Sequence, residues 1–225
     1  MTDDAVRTEG QLDAVERTVV AEERSSGLHT VVTLSQSYAT DVADLWEACT
    51  DPERLARWFG PVSGDLRRGG RYQIEGNAGG TIQTCEPPHA FTATWEFEGH
   101  VSSLAVRIEP EGETRARLTL EHTADVGAED WGAYGPGAGG VGWDLALLGL
   151  ANHLATGSAV PPESTAWVDT EDARRFIADA SRRWADGSIA AGTPTEAARA
   201  AEQRTSAAWP SPTPTSPTSP PNREL

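Results

Sequence analysis

Polar and apolar residues alternate from His29 to Tyr38, and the β-branched run HTVVTLSQSY puts Val32, Leu34 and Gln36 on one side of a predicted strand. The period then changes. Val42, Leu45, Trp46 and Cys49 recur at helical spacing behind Asp41, a residue suited to an N-cap. Thr50 and Glu53 have capping-box spacing, and Pro52 suits a first turn because its missing N–H loses no bond there. Leu55, Trp58 and Phe59 form the apolar face of this second short helix, which Gly60-Pro61 ends.

Alternation returns in short runs at hairpin spacing. Arg71 to Glu75 and Thr81 to Cys85 flank a glycine-rich turn. After Pro87-Pro88, Phe91, Ala93, Trp95 and Phe97 point one way, while Thr92, Thr94 and Glu96 point the other. Leu104, Val106 and Ile108 repeat the pattern, as do Ala116, Leu118, Leu120 and His122. An antiparallel sheet with one wet and one dry face has this signature. The dry face needs a cover, and Gly142 to Thr156 predicts it. Trp143, Leu147, Leu150 and Leu154 recur along a helix whose remaining circumference is largely filled by Leu145, Leu148 and Ala151. A helix apolar on most sides is buried on most sides. The predicted class is α+β, a curved antiparallel sheet around one long helix, with further helices after it.

The ends read differently. In residues 1–27, Leu12, Val15 and Val19 fit a weak helical stripe, while Thr18 to Glu23 fit a strand equally well; both readings of residues 11–24 stay open. The Ser25-Ser26-Gly27 turn would join such a strand to the next as a hairpin. Thr170 to Asp186 carries Ala173, Phe176, Ala180 and Trp184 on one stripe, with Gly187 as a stop. Thr193-Pro194-Thr195-Glu196 begins an Ala-rich helix to Ala208, and the six prolines in the last 17 residues predict a disordered tail. The expected organisation is a polar extension over 1–27, the main domain over 28–157, a helical extension over 158–208 and the tail over 209–225.

Composition narrows the function classes. Hydrophobic residues are 38% of the 225, low for a globular chain, as expected if the ends stay out of the core. A formal charge of −16 opposes binding to nucleic acid or to an anionic membrane surface and favours solubility. Cys49 and Cys85 make no zinc or redox spacing and read as free thiols. The N-terminus has neither the basic nor the apolar region of a signal peptide, and the stretch Val141 to Leu154 is interrupted and too short to span a bilayer. The cytoplasm follows by elimination.

The segment Leu45-Trp46-x-Ala48-Cys49-Thr50-Asp51-Pro52-Glu53-x-Leu55-x-x-Trp58-Phe59-Gly60-Pro61 resembles a family signature. It is that of the SRPBCC (START-like, helix-grip) branch named after the activator of the heat-shock protein 90 ATPase. Gly64-Asp65-Leu66-Arg67-x-Gly69-Gly70, Thr94-Trp95 after Pro87-Pro88, Leu118-x-Leu120-x-His122, and Gly142-Trp143-x-x-x-Leu147-x-x-Leu150 are similar to its later blocks, in order, so that the resemblance spans about 28–157. It implies the helix-grip fold, with a hydrophobic cavity between sheet and long helix that holds lipids, polyketides or other apolar molecules. A few superfamily members are cyclases or hydrolases, and the branch takes its name from a co-chaperone domain.

Candidate site residues are the large side chains on the dry face or turned toward it. The sheet and the short helix offer Trp58, Phe59, Tyr72, Phe91, Trp95 and Phe97; Leu104, Trp143, Leu147 and Leu150 complete the set, with particular interest in the three tryptophans. His122, on the dry parity, is a ligand-binding candidate and the one weak candidate for acid–base catalysis. His29, His89, His100 and His153 lack metal-ligand spacing, and Glu96 and Glu98, weighed with Glu75 as acid–base carboxylates, fall on the wet parity. Gly137-x-Gly139-x-x-Gly142 matches a dinucleotide string without its βαβ context and reads as a flexible entry to the long helix that gates the cavity. No nucleophile elbow or Ser/His/Asp arrangement is present. The expected function is non-catalytic binding of an apolar small molecule, with no cofactor and no metal. The alternatives are a co-chaperone-like interaction module, with the acidic surface or C-terminal extension meeting a protein partner, and a cyclase- or hydrolase-like enzyme using His122.

Overall fold

The protein is described by a computed structural model over residues 6–25 and 27–209; the predicted tail beyond Trp209 and Ser26 of the predicted turn lie outside the described residues. The alternating segments form β1 (Glu16–Arg24), β2 (Gly27–Tyr38), β3 (Val62–Gly64), β4 (Arg71–Ile74), β5 (Gly79–Glu86), β6 (Ala90–Phe97), β7 (His100–Pro110) and β8 (Ala116–Val126). They make one antiparallel sheet in the order β1-β2-β8-β7-β6-β5-β4-β3. Only the β2–β8 neighbours are far apart in sequence; there Leu34 lies opposite Leu120 and Gln36 opposite Leu118. The parity expected from the sequence holds, with Val32, Leu34, Gln36, Leu118 and Leu120 all buried.

Two short helices, α2 (Val42–Thr50) and α3 (Pro52–Leu55), link β2 to β3. Asp41 caps α2, accepting the Asp44 N–H at 2.9 Å. The capping-box reading of Thr50 is corrected: Asp51 caps α3 by accepting the Glu53 and Arg54 N–H groups. The Thr50 hydroxyl instead donates back to the Trp46 carbonyl. Carboxylates outrank threonine at this position, and Asp51 stands one residue nearer to the donors.

After α4 (Ala128–Tyr134), the long helix α5 runs from Gly137 to Thr156 and crosses the dry face. Its start corrects the flexible-entry reading, because the glycines lie within the helix. Close packing explains two of them: a Cβ at Gly140 would come within 2.3 Å of the Trp184 indole, and one at Gly137 would stand 3.1 Å from the Thr205 side chain, whereas Gly139 and Gly142 have nothing within 4 Å. Trp184 belongs to α6 (Glu171–Ala190), which packs on the far side of α5 together with α7 (Thr195–Ala208). Gly187 does not stop α6, which runs on to Ala190; it lets the Val19 side chain of β1 approach, at 3.2 Å from where its Cβ would be.

Residues 11–24 combine both readings of that segment: helix α1 (Gln11–Ala14) precedes edge strand β1. Leu12, Val15 and Val19 share one hydrophobic core with Leu145, Leu148, Phe176 and Trp184. A buried ion pair crosses this core. Asp144, in the middle of α5, is fully buried. It receives the Arg17 guanidinium at 2.5 Å, and Trp184 Nε1 donates to its other oxygen at 2.8 Å. Arg17 Nε also donates to this carboxylate, at 3.1 Å, and Nη1 donates to the Leu12 and Val15 carbonyls. Burial pushes the Asp144 carboxyl up, against the pull of Arg17 and the indole N–H. The three partners come from β1, α5 and α6, so the terminal segments are tied to the central helix.

Candidate ligand cavity

Between the sheet and α5 lies a cavity of about 320 Å³. Three helices each contribute an i, i+3, i+4 face: Trp46, Cys49 and Thr50 from α2; Leu55, then Trp58 and Phe59 just beyond α3; and Trp143, Ala146 and Leu147 from α5. A close approach sets one boundary. At Gly149 a Cβ would stand 2.4 Å from the Trp58 carbonyl oxygen, so the missing side chain lets the α3 exit abut α5 and brings Trp58 and Phe59 to the wall. The sheet supplies Phe91, Ala93 and Trp95 from β6, with Leu104, Val106, Leu118 and Leu120 beside them. Ile82 and Cys85 of β5 line the same wall despite their odd spacing, because a bulge between Ile82 and Thr84 shifts the register.

Of the residues singled out in the sequence, Trp58, Phe59, Tyr72, Phe91 and Trp95 lie on the cavity, as do Leu104, Trp143 and Leu147. Phe97 is corrected. It has the right parity but is the last residue of β6, beside the Glu98-Gly99 hairpin tip, and is 44% exposed. Leu150 is fully buried beyond the turn where Trp58 abuts α5, and it packs in the core instead. Glu75 and Glu98 are exposed, and Glu96 pairs with Arg71 at 2.8 Å away from the cavity. Trp46, Thr50, Leu66, Ile82, Cys85 and Ala146 also line the wall and were not singled out. For Trp46 the helical stripe through Cys49 was the available signal; for Cys85 the bulge hid the parity.

The aromatic rings pack against one another around this space. Phe59 is nearly parallel to Trp143, with centroids 6.3 Å apart, and Trp95 meets Trp143 at 5.0 Å. Opposite them, Trp46 and Phe91 meet edge to face at 6.1 Å. Among the described residues no Asp, Glu, Lys, Arg or His side chain lines the cavity. Burial pushes the Cys49 thiol up to about 12, so at neutral pH it is a protonated, weakly nucleophilic wall group. Burial also raises the Tyr72 phenol to about 12, and its hydroxyl donates to the Thr94 carbonyl at 2.7 Å.

His122 stands behind the wall, off the cavity. Trp143 Nε1 donates to its Nδ1 at 3.1 Å, and its Nε2 lies 2.7 Å from Ser102 Oγ, which donates onward to the Trp95 carbonyl at 3.1 Å. An indole N–H can only donate, so Nδ1 is bare and the proton sits on Nε2, pointing at Ser102. A Ser–His dyad needs the reverse tautomer, with Nδ1–H held by a carboxylate and Nε2 free to take the serine proton. Burial lowers the His122 pKa to about 4, which keeps the ring neutral. The chain Trp143–His122–Ser102–Trp95 ties the Trp143 indole to the backbone of β6. Among the described residues no group of three metal-ligating side chains gathers. No helix among them is long and apolar enough to cross a membrane.

Comparison with known proteins agrees with this architecture. The crystal structure of CalU16 from Micromonospora echinospora is 31% identical and covers 77% of this chain and 98% of its own, with a TM-score of 0.60. The solution structure of CalU16 gives 30% identity, 83% and 100% coverage, and a TM-score of 0.66. A conserved protein of unknown function from Enterococcus faecalis shares the fold at 11% identity, with coverage of 76% and 92% and a TM-score of 0.56. No curated protein matches the chain. The family profile described as "Activator of Hsp90 ATPase homolog 1-like protein" matches residues 39–155, from the approach to α2 to the end of α5. With more than half of its length matched, this chain belongs to that family, the heat-shock-ATPase-activator-like branch of the helix-grip fold.

Proposed function

We propose that the protein binds an apolar small molecule in the cavity between the sheet and α5, without chemistry of its own. The observation that carries this reading is a space of about 320 Å³ whose walls, among the described residues, hold no ionisable group except two thiols and a phenol. That volume is roughly twice the ~150 Å³ that accommodates benzene in an apolar cavity, so a body of two or three rings fits. Burying ~250 Å² of such a body at ~25 cal/mol per Å² gives about 6 kcal/mol, or a Kd in the tens of micromolar. The enzymatic alternative through His122 has the tautomer against it, and the absence of His122 from the cavity wall also weighs against it.

The test is a fluorescence titration with N-phenyl-1-naphthylamine, which brightens in apolar surroundings, alongside native mass spectrometry of the gently purified protein. Saturable one-to-one binding in that range is expected. No saturation up to the solubility limit, with no adduct in the mass spectrum, would overturn the proposal.

A further inference from the structure

The cavity has a sign as well as a size. Four polar groups on its wall give their protons to the protein instead of to the cavity. Trp58 Nε1–H goes to the Ala48 carbonyl at 2.9 Å, and Trp143 Nε1–H goes to His122 at 3.1 Å. The Tyr72 and Thr50 hydroxyls donate to the Thr94 and Trp46 carbonyls, each at 2.7 Å. What these groups leave for a ligand is π-electron density and oxygen lone pairs. Aromatic faces carry the negative lobe of the ring quadrupole. Cys49 and Thr50 also bring the carboxyl end of α2 to the wall, where the helix dipole is negative. The chain as a whole has a net charge of −16 and contains no lysine, so its long-range field draws cations.

Resting on the proposed cavity binding, we infer that the ligand is a lipophilic cation: a ring-sized apolar body carrying a quaternary or delocalised positive charge. A quaternary ammonium has no N–H to satisfy and needs only electron-rich surfaces, which Phe59, Trp95 and Trp143 supply. A carboxylate of the same size finds the Trp58, Trp143, Tyr72 and Thr50 donors already committed, and meets no cationic side chain; only the Trp46 and Trp95 indole N–H groups and two weakly donating thiols are left to it. Cation–π contacts of ~0.5–2 kcal/mol convert to a preference of roughly 2- to 30-fold over an uncharged molecule of the same shape.

The experiment displaces bound N-phenyl-1-naphthylamine from the full chain with three naphthalenes. They are (2-naphthylmethyl)trimethylammonium, its uncharged carbon isostere 2-neopentylnaphthalene, and the anion 2-naphthylacetate. The cation is expected to displace the probe at concentrations several-fold below the isostere, with the anion weakest. The advantage is expected to shrink in Trp95→Leu and in Phe59→Leu, and as NaCl rises from 20 to 200 mM; each variant is judged by its cation-to-isostere ratio, which loss of stability alone does not move. Equal or tighter binding of the isostere or the anion overturns the inference, as does displacement by none of the three while the probe itself binds. Failure of the probe to bind at all overturns the cavity reading on which the inference rests.

Discussion

Replacing Ala146 with leucine separates a ligand cavity from an ordinary close-packed core. Ala146 lies on α5 between Trp143 and Leu147, is 7% exposed, and faces the cavity. The substitution adds three carbons, and at ~0.8 kcal/mol per buried methylene it stabilises the fold by about 2 kcal/mol if the space receives them without strain. In a close-packed core the same carbons push neighbours off their rotamers and cost ~1–3 kcal/mol. The two cases differ in sign. Urea unfolding followed by circular dichroism reads the difference: with a slope of ~2–3 kcal/mol per molar, the midpoint is expected to rise by about 1 M. The same leucine occupies ligand space, so affinity for N-phenyl-1-naphthylamine is expected to fall at least tenfold. A lowered midpoint with unchanged probe affinity would refute the reasoning.

Other consequences follow from the same contacts. Because burial lowers the His122 pKa to about 4, below the ordinary ~6.5, the unfolded chain takes up this proton first. The neutral ring's contribution is fully present above pH 6.5 and is lost as pH falls through 4, by about 3 kcal/mol. Urea midpoints of wild type and His122→Gln should therefore converge between pH 7 and 4, and parallel curves would count against the buried neutral ring. Asp144→Ala strands the Arg17 guanidinium and the Trp184 N–H in the core, a loss of ~3–5 kcal/mol by urea unfolding, whereas Arg17→Met with Asp144→Leu recovers more than half of it. Gly140→Ala is expected to destabilise by ~1–3 kcal/mol through the Trp184 clash, while Gly142→Ala, with nothing within 4 Å, gains up to ~1 kcal/mol of helix propensity. A rise in the thermal midpoint for both variants would show that Gly140 does not serve helix packing.

The legible parts of this fold were those governed by local period. Strand parity from Phe91 to Trp95 and from Ala116 to Leu120, and the stripe from Trp143 through Leu147, led to the dry face and to one part of the cavity wall. Phe97 misled because parity does not say where a strand leaves the cover of its helix. Cys85 escaped because a bulge inverts parity without any marker in the residues themselves. The glycines at 137–142 look like hinges in one dimension; the need for Gly140 lies in an indole 44 residues away along the chain. Asp144 likewise reads as an interruption of an apolar run until Arg17 and Trp184 are seen around it. Contacts of this kind pair residues across β1, α5 and α6, and a periodicity argument carries no information about partners at that range.

The central claim is that an apolar ring sits in the cavity between the sheet and α5, against the wall that Trp95 and Trp143 form. Anomalous diffraction from crystals soaked in 1-bromonaphthalene tests it most directly. The account predicts one bromine site inside the cavity, within about 4 Å of wall carbons of α5 and β6, the ordinary van der Waals separation. It is contradicted by bromine only on the protein surface, or by none at all in crystals whose solvent contains the compound at saturation.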